Sequence, residues 1–190
     1  MTASLPEPTE PQLSREPLVA GMAALHRGGW DGSRPALVVD GLNQRLYLLE
    51  QGRVAREWPV STGAAGFGCR EGSGCTPTGL HRVCAMIGGD APPGAVFRAR
   101  EFTGQVLEPG TPPPEGDYIT SRILWLEGLE EGFNRGPGLD SRERYIYIHG
   151  TPWTEHLGRP ASAGCVRMAD AAVAELFQQL EEGALVQIVG

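Results

Sequence analysis

Apolar positions along the chain fall mostly into short runs of β character, and two stretches carry helical period. Leu18, Met22 and Leu25 recur at helical spacing until Gly28-Gly29 stops the run, which predicts a helix over about 17–27. Ala36–Asp40 and Arg45–Glu50 flank Gly41–Gln44 as a hairpin, and Gln51-Gly52 turns the chain into Arg53–Val60. Three β-rich runs with this punctuation predict a meander. Leu80–Ile87 reads as a strand with His81 and Cys84 on opposite faces, and Ala95–Gln105 as β-rich with a turn at Thr103-Gly104. Ile119–Leu126 reads as a buried strand, Tyr145–Ile148 as a strand ending at His149, and Ala184–Val189 as the closing strand. Val173, Leu176, Phe177 and Leu180 stand at i, i+3, i+4 and i+7, with Asp170 as N-cap and Gly183 as the C-terminal stop, so a second helix follows Cys165.

Between these elements lie polar or glycine-rich stretches. Residues 1 to about 14 are rich in Pro, Glu and Thr and read as a disordered tail. With the first helix they make a leading segment, 1–34, ahead of a compact domain over 35–190. Residues 61–79 carry many glycines but neither phosphate-loop nor dinucleotide spacing, so they are expected to form a long surface loop. Residues 108–117 are expected to be an exposed loop, and 127–140 a second long one. Loops of such length in compact domains often serve as functional lids. Many short strands and few helices predict a mainly β fold.

Composition narrows the function classes. The net charge is −7, from 23 acidic against 16 basic residues. Every basic residue is arginine; with no lysine there is no phosphate-loop lysine, Schiff-base lysine or lysine general base. The acidic balance, without a basic stripe, argues against nucleic acid as partner. No apolar run approaches the 18 or so residues of a membrane span. Met1–Pro17 lacks the apolar core of a secretory leader, which gives cytoplasmic location as the expectation and the periplasm or cell envelope as the alternative if the sequence is trimmed. The cysteines are Cys69, Cys75, Cys84 and Cys165. Their spacing matches no zinc motif, so neither metal nor cofactor is expected. Cys84 reads as core; Cys69 and Cys75 read as loop thiols that could also close a small disulfide loop.

One pair carries candidate chemistry. Strand alternation places Tyr145, Tyr147 and His149 on one face and Ile146 and Ile148 on the core face. Cys165 stands sixteen positions after His149, in the small-residue turn Ser162-Ala163-Gly164-Cys165. Such a turn leaves backbone N–H groups open to hold an oxyanion, each commonly contributing about 3–4 kcal/mol. A free thiol is only about 3% thiolate at pH 7, and a nearby imidazole raises that fraction as base or ion-pair partner. A thiol and an imidazole alone remain a weak pattern.

The surrounding motif is more specific. His149-Gly150-Thr151, Gly158 and Ser162-x-Gly164-Cys165-Val166-Arg167-Met168 resemble the catalytic motif of the L,D-transpeptidase (YkuD-type) family, and Thr76-Pro77-Thr78-Gly79 resembles its Thr-Pro-x-Gly segment. The resemblance spans roughly residues 35–190 and implies a β-sandwich-like domain with the cysteine in a cleft under a lid. It implies cleavage of the peptidoglycan stem tetrapeptide between the diaminopimelate residue and the terminal D-alanine. In that picture Cys165 is the nucleophile, His149 the base, and the Gly150 carbonyl orients the imidazole. Backbone N–H groups of Ala163, Gly164 and Cys165 hold the oxyanion. Trp153 lines the substrate groove, with Tyr147 and Ser162 beside it, and Arg167 holds a carboxylate or braces the turn. Many members carry a second histidine where this chain has Ala163. The partners implied are stem peptides or their soluble fragments. Water as acceptor makes an L,D-carboxypeptidase, which cytoplasmic location favours; an amine makes a 3–3 cross-linking L,D-transpeptidase. A binding module without turnover, and a thiol redox or metal protein using Cys69, Cys75 and Cys84, are the alternatives of other classes.

Overall fold

The computed structural model describes residues 14–108 and 115–190. Most of the expected tail, and of the expected loop at 108–117, lies outside those residues; 115–117 are exposed. The meander forms as β1 (Ala36–Asp40), β2 (Arg45–Glu50) and β3 (Arg53–Pro59). There follow β4 (Gly79–Ile87), β5 (Ala95–Arg98), β6 (Glu101–Val106), β7 (Ile119–Gly128), β8 (Tyr147–Thr151), β9 (Val166–Ala169) and β10 (Leu185–Val189). Helices α1 (Glu16–Arg27) and α2 (Asp170–Phe177) and a short 3-10 turn, Thr154–His156, complete the elements of the described residues. All ten strands share one curled sheet, in the order β3-β2-β1-β10-β4-β7-β5-β6, with β8 also paired to β7 and β9 to β8.

Alternation along β1 explains why both faces of the sheet are covered. Leu37 and Val39 face a core shared with Val173 and Leu176 of α2 and with Ile148, Val166 and Met168. Ala36 and Val38 face the opposite way, onto Leu18 and Leu25 of α1 and onto Trp30. A strand sandwiched in this way is buried along its whole length, as β1 is. Gly21 permits the close approach of α1: a Cβ there would stand 2.6 Å from Val38 Cγ1.

Several local expectations shift. The β5–β6 turn falls at Ala99-Arg100, four positions before the expected Thr103-Gly104; Arg98 pairs with Glu101, closing a two-residue hairpin. Asp170 is the first residue of α2 and Ala169 its N-cap; the Asp170 carboxylate instead accepts the Thr120 hydroxyl at 2.5 Å. The helix ends at Phe177, before the expected Gly183 stop, which sits at φ +92° in the turn into β10. Cys84 is half-buried where full burial was expected, at a register irregularity between Val83 and Ala85. His81, on the face expected to lie opposite the Cys84 core face, is fully buried, with Nε2 2.9 Å from Ser141 Oγ and Nδ1 3.0 Å from the Gly79 carbonyl. Hydrophobic period records the sheet's faces but is blind to a loop folding over one of them, and the 129–146 connection covers His81 in this way.

Candidate active site

His149 lies in the middle of β8, between Ile123 of β7 and Arg167 of β9. It is buried, and its Nδ1 is 2.7 Å from the Gly150 carbonyl oxygen. A carbonyl only accepts, so Nδ1 carries the proton and Nε2 presents its lone pair. Burial pushes the imidazole pKa down to about 4, so it is neutral at pH 7. Gly150 is glycine for a steric reason: a Cβ there would run into the Thr120 carbonyl and the Asp170 carboxylate.

Cys165 closes the turn that begins at Ser162. The Ser162 hydroxyl donates to the Cys165 carbonyl at 2.5 Å and accepts the Gly164 N–H at 3.1 Å. Gly164 has φ +127°, and a Cβ on it would stand 3.1 Å from the Cys75 carbonyl oxygen. The Thr76 hydroxyl donates to the Gly164 carbonyl at 2.8 Å and accepts the Gly63 N–H at 2.7 Å. Arg144 donates to the Cys75 carbonyl at 2.7 Å and to the Gly68 carbonyl at 3.2 Å. The 61–79 stretch is therefore a support as well as a surface loop. Its ends are buried behind the cysteine turn, where Ser61 pairs with Arg167 and Gly63 with Ser162.

Parallel pairing of Ile148 with Val166 puts His149, Tyr147, Cys165 and Arg167 on one face of the sheet. Ile148, Val166 and Met168 go to the core on the other. Cys165 and His149 are thus diagonal neighbours, on the order of 7 Å apart at Cα. The partly exposed thiol accepts the Tyr147 N–H at 3.4 Å and donates to the Tyr145 carbonyl at 3.5 Å. Among the described residues no hydrogen bond joins it to the imidazole. Burial pushes the thiol up to about 11. Thiol and imidazole both rest neutral, an arrangement suited to proton transfer during attack and not to a standing ion pair. Resting hydrogen bonds of this kind often tighten only with substrate bound.

Other expected site residues take different places. Tyr145 stands outside β8 at φ +55° and is exposed, which aims its carbonyl at the thiol. Tyr147 is buried, and its hydroxyl accepts from Arg100 at 3.1 Å. The Trp153 indole donates to the Gly116 carbonyl at 2.9 Å and stacks on His156. Arg167 is buried, bonded to Asp117 at 2.8 Å and to the Ala161 carbonyl at 3.2 Å, so it braces the turn. Ala163 is exposed. Arg144 was not legible as a site residue, because it acts through backbone carbonyls that no side-chain motif records; Thr76 stood in the Thr-Pro-x-Gly segment, but its bond to the Gly164 carbonyl was not legible. Among the described residues no group of three His, Cys, Asp or Glu side chains is placed to hold a metal, and the four thiols are free.

The family model described as the L,D-transpeptidase catalytic domain (YkuD) matches residues 34–188. The chain belongs to this family. The L,D-transpeptidase match opens just ahead of β1, closes within β10, and takes in both His149 and Cys165. Solved structures share the mainly β, curled-sheet fold. One is an L,D-transpeptidase from Mycobacterium smegmatis, with TM-score 0.53 and 20% identity over 83% of this chain and 59% of that one. Another is a cysteine-to-serine variant of the Enterococcus faecium L,D-transpeptidase, with TM-score 0.50 and 18% identity over 82% and 50%. A third is an L,D-transpeptidase in complex with imipenem, with TM-score 0.50 and 18% identity over 82% and 58%. The chain therefore spans between half and three-fifths of the length of these structures. No curated protein matches it.

Proposed function

We propose that this L,D-transpeptidase domain acylates Cys165 with the peptidoglycan stem tetrapeptide, at the bond between its diaminopimelate residue and the terminal D-alanine. The observation that carries the reading is the neutral His149, its Nδ1–H held by Gly150, on the same sheet face as the Cys165 thiol. Nε2 takes the proton from Sγ as the sulfur attacks the carbonyl carbon. Because the Gly164 N–H is engaged by Ser162, the Ala163 and Cys165 N–H groups hold the oxyanion, with Gly164 serving as the bend between them. Collapse breaks the C–N bond, and the imidazolium protonates the departing amine. The thioester is then resolved by water, with His149 again as base, giving tripeptide and free thiol. We take this L,D-carboxypeptidase outcome first because it needs only a water where D-alanine has left; resolution by the amine of a second stem gives a 3–3 cross-link. Trimming soluble fragments goes with a cytoplasmic protein, cross-linking with the cell envelope.

Mass spectrometry of tetrapeptide fragments incubated with the protein, with and without acceptor stems, decides the products. Tripeptide alone supports hydrolysis; dimers make it a transpeptidase. Cys165→Ala should release no D-alanine and take no label from a carbapenem, the ligand class found on one of the fold relatives. His149→Ala should slow acylation by several orders of magnitude. Persistent turnover in Cys165→Ala would sink the nucleophile assignment.

A further inference from the structure

The β5–β6 hairpin ends in Ala99-Arg100, with φ of +48° and +70°. A two-residue turn with two positive φ angles strongly favours Asn-Gly or similar pairs, and side chains such as these adopt it at a cost. The strained turn plants the Arg100 guanidinium 4.7 Å from the Trp125 ring centroid and 5.0 Å from that of Tyr145, while Nη1 donates to the Tyr147 hydroxyl at 3.1 Å. The same Tyr147 gives its N–H to the Cys165 thiol, and the Tyr145 carbonyl is the thiol's other partner. One tyrosine's length thus separates the guanidinium from the nucleophile. Among the described residues Arg100 forms no ion pair, in contrast to Arg167, whose charge is met by Asp117. In a chain of net charge −7, a partly exposed, aromatic-braced cation without a carboxylate partner, held against the tyrosine that bonds the nucleophile, has the chemistry of an anion-reading group.

We infer that Arg100 is a specificity residue that binds a carboxylate of the peptide beside the scissile bond. Stacking on Trp125 and Tyr145 fixes the plane of the guanidinium, so its remaining N–H edge meets a planar carboxylate with little ordering left to do. The inference rests on the stem-peptide reading, which supplies two carboxylates near the reacting carbonyl: the terminal one of D-alanine and the side-chain one of diaminopimelate.

The test compares the wild type, Arg100→Gln and Arg100→Lys on three tetrapeptides: one with free acids, one with the diaminopimelate side chain amidated, one with a D-alanine amide end. Arg100→Gln should raise KM about tenfold on the free acid with kcat within about twofold, the size expected for one hydrogen-bonded charge pair. Amidating the carboxylate that Arg100 reads should erase the difference between the variants, and this names which one it is. Arg100→Lys should recover part of the loss. Alkylation of Cys165 by iodoacetamide, an uncharged probe, should stay within about twofold in both variants. An equal loss on all three peptides would mean that Arg100 only anchors the hairpin, and no loss at all would likewise overturn the inference. Failure of the wild type on every peptide while iodoacetamide still labels Cys165 would remove the stem-peptide reading itself, and this inference with it.

Discussion

Thr76→Val isolates the contact between the glycine-rich loop and the cysteine turn. Valine matches threonine in shape, so the backbone bonds from Thr76 N–H to the Gly66 carbonyl and from Gly68 N–H to the Thr76 carbonyl stay in place. What is lost is the hydroxyl, which gives its proton to the Gly164 carbonyl at 2.8 Å and accepts the Gly63 N–H at 2.7 Å. Thr76, Gly63 and Gly164 are all buried, so water cannot replace either bond. Stranding a buried polar group costs about 1–3 kcal/mol, so stranding two costs about 2–6 kcal/mol together. In a protein of this size, at about 2–4 °C per kcal/mol, that lowers Tm by about 4–24 °C. The unpinned Gly164 also frees the neighbouring oxyanion donors, and misplacing a reacting group by about 1 Å can cost on the order of a hundredfold in rate. Scanning calorimetry and the rate of Cys165 acylation, followed by intact-mass spectrometry, read the two effects. Thr76→Ser keeps the hydroxyl and serves as the control, expected within about 1 kcal/mol of wild type. If Thr76→Val melts and acylates like Thr76→Ser, the loop does not support the turn.

His81 and His149 both have pKa values pushed down to about 4 by burial. Each therefore binds fewer protons folded than unfolded; its contribution is complete above about pH 6.5 and is lost as pH falls toward 4, on the order of 3 kcal/mol per group. Urea unfolding between pH 7 and 4.5 should show that loss, and His81→Asn should make it shallower; a flat profile would contradict the burial of both rings. By the same shift, the acidic limb of Cys165 acylation should lie near pH 4, well below the ordinary histidine range; a limb near 6.5 would mean that His149 is solvated. Gly150→Ala would drive a Cβ into the Thr120 carbonyl and Asp170, and overpacking of this kind typically costs about 1–3 kcal/mol, so a wild-type Tm would show that the β7–β8 contact yields freely.

Much of the scaffold was legible from period and punctuation. The first helix ends at Arg27, one residue before Gly28, and β1 and β2 span the expected residues, because both signals are local: apolar spacing and a turn residue act within a few positions. Where the reading slipped, a distant partner had outbid local chemistry. Asp170 has the side chain of an N-cap, yet Thr120, fifty positions earlier in the chain on β7, claims its carboxylate. Thr103-Gly104 is the better turn by composition, yet the chain turns at Ala99-Arg100, where Arg100 reaches three aromatic side chains.

The candidate site divides in the same way. The sequence by itself determined which residues could do the chemistry: a histidine followed by glycine, and a cysteine in a turn of small residues, since side-chain identity and backbone freedom are properties of the residues themselves. The tertiary structure alone decided their working state. Parallel pairing of β8 with β9 brought His149 and Cys165 to one face, and burial pushed the imidazole pKa down and the thiol pKa up. Thr76, about 90 positions before the cysteine, holds its turn from behind, and Arg144, about 20 before it, holds the loop that carries Thr76. Desolvation and carbonyl contacts depend on what else surrounds a group, and those surroundings exist only once the sheet has closed.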